Sequence, residues 1–249
     1  MIYLILLLVV IACNACHREK FTSVWTNPIT LTHIVRGNKP ETYPVHFQLV
    51  SASDEMIAGY QQETLFHGPP DTILSDRIRV STPFTSQSSG FSSLTPDSVL
   101  AIDPLIVSGG DGSFYTFWGQ RSDTTLTKAY KAGNFATDVM VSRWNNGQWS
   151  RPIDLYHLGG EEPNEIDLYD FHGVADSQHR VHIVFVSKGK LPPEVMYTSG
   201  RGQIWQPTQR LFRGLDPDIA IGSDGHMLLT FAIFDTTLHK FNINSIFFL

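Results

Sequence analysis

Residues 215–231 alternate short apolar runs with polar turns. An Asp216-Pro217 pair is followed by the apolar run 219–221, the turn Gly222-Ser223-Asp224-Gly225 and a second apolar run, 227–231. Runs of this length, bounded by Gly, Asp and Pro, predict paired β-strands, and Asp-Gly supplies the positive φ of a tight two-residue hairpin turn. The same order recurs from Asp103-Pro104 through Asp111-Gly112 to the run 114–118, and more loosely between Asp170 and Phe185. A pattern that repeats along a chain is read as repeated architecture before any single residue is read as chemistry.

A second marker completes the repeat. Trp149-Ser150-Arg151-Pro152-Ile153-Asp154-Leu155 matches Trp25-Thr26-Asn27-Pro28-Ile29-Thr30-Leu31, and Trp205-Gln206-Pro207 is a shortened form. Before two of these copies stand an apolar run, Val139-Met140-Val141 or Val195-Met196-Tyr197, and a Gly-Gln turn. The unit therefore reads as four antiparallel strands: Asp-Pro strand, hairpin, Val-Met strand, Gly-Gln turn, and a strand opened by Trp. Residues 32–100 hold a weaker unit with strands expected over 47–50, 56–60 and 77–80, and a Ser/Thr-rich loop over 81–96. Tandem four-stranded units of this size predict an all-β chain, a β-propeller of antiparallel blades. About four blades are visible, near residues 32–100, 103–155, 170–210 and 216–249. Residues 25–31 carry the fourth-strand marker and are expected either to close the last blade or to be the remnant of a larger, truncated ring; both alternatives stay open.

Composition narrows the function. Of 249 residues, 42% are hydrophobic and 17% charged, which supports a packed core and leaves little room for disorder. A formal net charge of -6 excludes a general nucleic-acid binder, which needs a basic face. The first twelve residues are apolar without interruption, too short a run to span a bilayer and suited to the core of a secretory signal. Val10-Ile11-Ala12-Cys13 resembles the bacterial lipobox, although the segment lacks the usual basic start. That resemblance implies a signal peptide over residues 1–16, lipidation at Cys13, a mature propeller over 17–249, and a location in the cell envelope, at the outer membrane or in the periplasm. The membrane is then met through the lipid anchor only. Cys13 and Cys16 are the only cysteines, so the folded body has no disulfide and no Cys-ligated metal.

Thr198-Ser199-Gly200-Arg201-Gly202-Gln203-Ile204-Trp205 resembles the Asp-box, or BNR repeat, S/T-x-D-x-G-x-x-W, of sialidase-like propellers, with Gly200 standing where that pattern has Asp. In that family the box is a structural turn, so the resemblance implies fold and not activity. A sialidase-type site needs three convergent arginines. None of the arginines here sits in the family's early motif, Asp76-Arg77-Ile78-Arg79 being the nearest string, and the arginines read as solvated surface groups. Asp103, Asp170 and Asp216 would each open an innermost strand and ring one mouth of the channel. Several five-bladed glycosidases use an Asp-Pro there as a catalytic carboxylate, and Glu161, Glu162, Glu165 and Asp167 are additional acidic candidates. Because the Asp recurs from unit to unit, it reads first as a strand-start cap bonding backbone N–H groups. His172, His179 and His182 form no metal-ligand motif; no metal and no cofactor are expected. Trp118, Tyr130, Trp144 and Tyr169 could stack on sugar rings, whereas Trp149 and Trp205 read as blade packing. The expected function is an exported, lipid-anchored module binding a carbohydrate or protein ligand at the channel mouth, with no nucleic-acid partner. The alternatives are a glycoside hydrolase, or a truncated fragment of one.

Overall fold

The computed structural model describes residues 41–52, 55–66, 72–81, 91–96, 99–121, 136–158, 167–189, 192–235 and 240–248. The signal segment 1–16, Cys13, the candidate closing strand 25–31, Tyr130, Glu161, Glu162 and Glu165 lie outside them, as does most of the 81–96 loop. All described residues belong to the larger of two units, Thr32–Leu249.

Every regular element among the described residues is a strand, and the strands fall into four successive antiparallel sets. The first holds β1 (Glu41–Ala52), β2 (Glu55–Phe66), β3 (Thr72–Ser81) and β4 (Phe91–Ser93). The second holds β5 (Leu100–Ser108), β6 (Phe114–Arg121) and β7 (Asp138–Asn145), with an outer strand in two pieces, β8 (Gln148–Trp149) and β9 (Ile153–His157), both paired to β7. The third repeats this design with β10 (Asp167–Ala175), β11 (Val181–Lys188), β12 (Glu194–Arg201), β13 (Ile204–Trp205) and β14 (Gln209–Arg213). The fourth holds β15 (Leu215–Ile221), β16 (Met227–Asp235) and β17 (Lys240–Phe248). One parallel pair, Asp76 with Leu100, joins the first two sets along their edges. The first strands β1, β5, β10 and β15 lie side by side in succession. Sheets placed face to face around adjacent inner strands make the architecture a β-propeller.

The core lies between blades. Ile78 and Val80 of the first blade meet Ala101 and Trp118 of the second. Tyr115, Phe117, Val139 and Val141 of the second meet Val181, Ile183 and Phe185 of the third. Val184 and Val195 of the third meet Ile219, Leu229 and Phe231 of the fourth. A strand between two neighbours must be apolar on both faces, which is why residues 181–187 are all buried and read as a continuous run instead of an alternation. Each such aliphatic or aromatic side chain removed from water contributes about 1.5–3 kcal/mol.

The hairpin turns differ from the expected two-residue form. Gly109 N donates to Ser113 O (2.8 Å), Asp176 N to Arg180 O (2.9 Å) and Gly222 N to His226 O (2.8 Å), so each loop holds three residues. In the two later copies a type I turn comes first, closed by His179 N to Asp176 O and Gly225 N to Gly222 O, both 3.0 Å. The last loop residue is left-handed in all three: Gly112 (φ 78°), His179 (φ 62°) and Gly225 (φ 84°). The Asp-Gly pair marks a turn, as its sequence predicts, but its Gly serves the bulge that follows a type I turn. The Asn146-Gly147 turn between β7 and β8 is the true two-residue loop, with both residues at positive φ (52° and 86°).

The tryptophan marker has a hydrogen-bond explanation. Buried Ser142 Oγ donates to Ser150 O (2.8 Å), and buried Thr198 Oγ1 donates to Gln206 O (2.7 Å). Ser150 N and Gln206 N return bonds to Arg143 O and Ser199 O (2.8 and 2.9 Å). The residue after each Trp is thus pinned to the middle strand, and the indole turns inward. Trp205 meets Tyr115 and Phe117 of the preceding blade edge-on, with centroids 6.0 and 5.5 Å away.

Candidate functional site

Four inner strands break their ladder at the same place. Partner registers skip between Val45 and Gln48, Ile102 and Leu105, Tyr169 and His172, and Leu215 and Asp218. At each skip the first residue is left-handed: His46 (φ 49°), Asp103 (φ 50°), Asp170 (φ 59°) and Asp216 (φ 47°). A bulge gives one strand an extra residue and re-aims its side chain. Non-glycine residues at such φ cost on the order of 1–3 kcal/mol and persist only where the surroundings hold them; Asp tolerates the region better than most. The three aspartates are therefore not strand-start caps. They stand at bulges within their strands, and the carboxylates of Asp103 and Asp170 engage histidines.

The bulges converge on one cavity of about 480 Å³, lined by His46, Phe47, Gln48, Asp103, Pro104, Tyr169, Asp170, Phe171 and Asp216. Asp103, Asp170 and Asp216, singled out in the sequence, are brought together here. Two glutamines from the first blade replace backbone partners that the β5 bulge forfeits. Asp103 N donates to Gln61 Oε1 (3.1 Å), and Ile106 N donates to Gln48 Oε1 (2.7 Å). Gln61 is itself buried, so this support is shielded from water.

The electrostatics of the two best-placed carboxylates differ. Burial raises the proton affinity of Asp103 above the ordinary carboxylate value; His46, with Nδ1 at 3.3 Å from Oδ1, opposes the rise, and the charge of Asp170 adds to it. Asp170 Oδ1 lies 3.2 Å from His172 Nε2, and His172 Nδ1 lies 3.2 Å from Asp218 Oδ1. Asp170 Oδ2 is shut off from solvent and has no hydrogen-bond partner among the described residues. The hydrogen bond to Asp170 raises the His172 pKa, burial opposes it, and the charges of Asp170 and Asp218 reinforce the rise. A histidine whose folded pKa lies above its unfolded value of about 6.5 stabilises fully below that pH and loses the contribution as pH rises through the folded value. The wild type is therefore expected to lose its stability advantage over His172→Gln as pH climbs from about 6 to 8. Parallel melting curves across that range check this; a constant or widening gap would refute it.

Other candidates lie elsewhere. Arg143 Nη2 and Arg201 Nη2 approach Asp111 Oδ2 at 3.4 and 3.2 Å, on the hairpin at the far end of β5. Burial pushes the Asp111 pKa up, but bonds from Ser113 and the two guanidiniums outweigh it and hold the carboxyl low. Arg210 pairs with Glu194 (3.0 Å), and Arg79 Nη2 bonds Phe91 O (3.0 Å). No arginine is among the described residues lining the cavity. The three neighbouring histidines separate: His172 lies between Asp170 and Asp218, His179 sits in a turn with Nδ1 on Gly109 O (3.2 Å), and His182 is buried between Tyr197 Oη (2.7 Å) and Asp176 Oδ2 (3.1 Å). Trp118 is fully buried and Trp144 packs edge-on against Trp149, whereas Tyr169 does line the cavity. Asp167 is the first residue of β10.

Sequence reasoning missed His46, Gln48, Gln61 and Asp218. The signal for His46 was its neighbour: His46-Phe47 occupies the place of Asp170-Phe171. With the strand expected to begin at Phe47, the equivalence was hidden.

No protein-family model matches the chain, and no curated protein matches it. Among solved structures, the crystal structure of the endo-arabinase from Bacteroides thetaiotaomicron VPI-5482 is similar over 82% of this chain and 75% of that one, at 10% identity and a TM-score of 0.45. Likeness at that level says nothing of activity. The propeller assignment rests on the strand order and the shared inner-strand bulges.

Proposed function

We propose that the axial cavity binds a neutral carbohydrate. The observation that carries this reading is the convergence of three left-handed aspartates with Tyr169 and the exposed Phe47 on one cavity. Sugar rings present hydroxyl donors at their edges and apolar C–H faces, so carboxylate acceptors flanked by aromatic rings suit them. A sialic acid or uronic acid would bring a carboxylate against this acidic lining with no arginine among the described lining residues to receive it, so the proposed ligand differs from that of the sialidase-like resemblance. Asp170→Asn replaces one of the lining carboxylates by a neutral amide of the same shape. It is expected to weaken binding of neutral oligosaccharides by about 10- to 100-fold, the usual loss for a hydrogen bond to a charged group. Titration calorimetry over a panel of neutral and acidic oligosaccharides measures this. Binding of acidic sugars only, or of none, would overturn the proposal.

One observation favours a second reading, glycoside hydrolysis. Burial and Asp170 raise the proton affinity of Asp103, as a general acid requires, and a second carboxylate stands nearby. Release of reducing ends by the wild type and not by Asp103→Asn would support it. Binding without turnover leaves the protein a binding module.

A further inference from the structure

We propose that the second blade carries a binding site for a divalent transition metal of the Zn²⁺ class, built from Asp138, Asp154 and His157, away from the axial cavity. Asp138 opens β7 and pairs in register with His157 at the end of β9. The partners of Val139 and Met140 are Tyr156 and Asp154, so Leu155 is an extra residue. That bulge inverts the alternation and brings Asp154 to the face that carries Asp138 and His157. One ligand atom from each of the three side chains lies within 4.8 Å of the others. Zn²⁺ bonds nitrogen and carboxylate oxygen at about 2.0–2.2 Å, and small rotations of the exposed Asp154 and His157 close the remaining gap.

The third blade supplies the comparison that makes the cluster unusual. Its β12 and β14 match β7 and β9 residue for residue, bulge included. Glu194 stands for Asp138, Arg210 for Asp154, and Arg213 for His157. There the carboxylate of Glu194 is met by Arg210 Nη1 at 3.0 Å, and Arg213 is its partner in register. One acid faces two fixed cations. In the second blade the same three positions hold two acids and an imidazole. The Asp138 side chain is only 4% exposed, and the position that supplies the guanidinium in the sister blade supplies a second carboxylate. The imidazole of His157 is the one side-chain cation paired with the two carboxylates among the described residues, and a bound metal ion would add the charge that Arg210 adds next door.

The bonding around Asp138 fits that role. Thr137 Oγ1 donates to Oδ2 (3.1 Å), leaving Oδ1 directed at His157 Nδ1. A metal ion would replace the proton shared by those two atoms and take Asp154 as third ligand. Tyr156 N donates to Asp154 Oδ1 (3.0 Å), which orients that carboxylate from behind. An imidazole beside carboxylates suits Zn²⁺ or Co²⁺ and disfavours Ca²⁺ and Mg²⁺, which take oxygen alone.

The full chain, stripped with a chelator, is titrated with Zn²⁺ by calorimetry and with Co²⁺ by visible absorption. One saturable site tighter than about 10 µM is expected. Asp154→Arg copies the sister blade. It is expected to weaken Zn²⁺ binding by at least about 10-fold and to leave the metal-free melting temperature no lower than that of wild type. His157→Gln, whose amide can still donate to Asp138, is expected to lose binding as well. Absence of saturable binding by the wild type would overturn the proposal, as would unchanged binding by both variants, which would place the metal on other residues.

Discussion

Gly200→Asp is expected to destabilise the protein by at least about 3 kcal/mol, although it restores the aspartate that the Asp-box pattern calls for. A Cβ on residue 200 would stand 2.4 Å from Trp205 Cδ2, 2.6 Å from Trp205 Cε3 and 2.6 Å from Ile204 O. The indole cannot retreat. It is wedged against Tyr115 and Phe117 of the preceding blade, and its Nε1 donates to Gly202 O (3.3 Å). The turn is tied across the same boundary by Gly202 N, which donates to Tyr115 Oη (2.8 Å). Overpacking of this kind costs about 1–3 kcal/mol, and a carboxylate at a buried position adds a desolvation cost. Gly200→Ala isolates the steric part and is expected to cost about 1–3 kcal/mol. Urea unfolding of the three proteins distinguishes the contributions. A change below about 0.5 kcal/mol for the Asp variant would mean that the turn repacks freely.

Trp118→Ala is expected to cost about 3–5 kcal/mol of stability and to leave the affinity of the axial cavity unchanged. The side chain is fully buried among Ile78 and Val80 of the first blade and Ala101 of the second, with Met140 and Trp149 behind it. Its Nε1 donates to Gln120 Oε1 (3.2 Å), so the polar edge of the indole is satisfied. Truncation leaves a void on the seam between two blades, where each sheet is held by its own hydrogen bonds and neither relaxes readily into the other. Thermal unfolding combined with oligosaccharide titration tests both halves. Lost affinity with intact stability would return Trp118 to the role of a sugar platform.

Much of this architecture was legible in the residues. The Asp-Pro and Asp-Phe pairs, the hairpin turns and the Trp markers all repeat because each blade solves the same packing problem, and repetition survives in sequence. What stayed hidden depended on register. An inserted residue at Asp103-Pro104 or at Leu155 shifts every later side chain to the opposite face, and nothing in the order of letters marks where the ladder skips. The aspartates therefore looked like caps at strand starts, and Asp154 looked like a variable position inside a Trp-Pro marker. Trp118 was misplaced for a related reason. Strand alternation predicts one wet face, but an inner blade has neighbours on both sides.

The first blade departs from the others at the axial ring, with His46 where they place aspartate. His46 Nδ1 stands 3.3 Å from Asp103 Oδ1, so one side of the cavity carries an imidazole–carboxylate pair while Asp170 and Asp216 bring carboxylates to the other. A bound molecule therefore meets different hydrogen-bond partners on its two sides, and the cavity suits an asymmetric ligand held in one orientation.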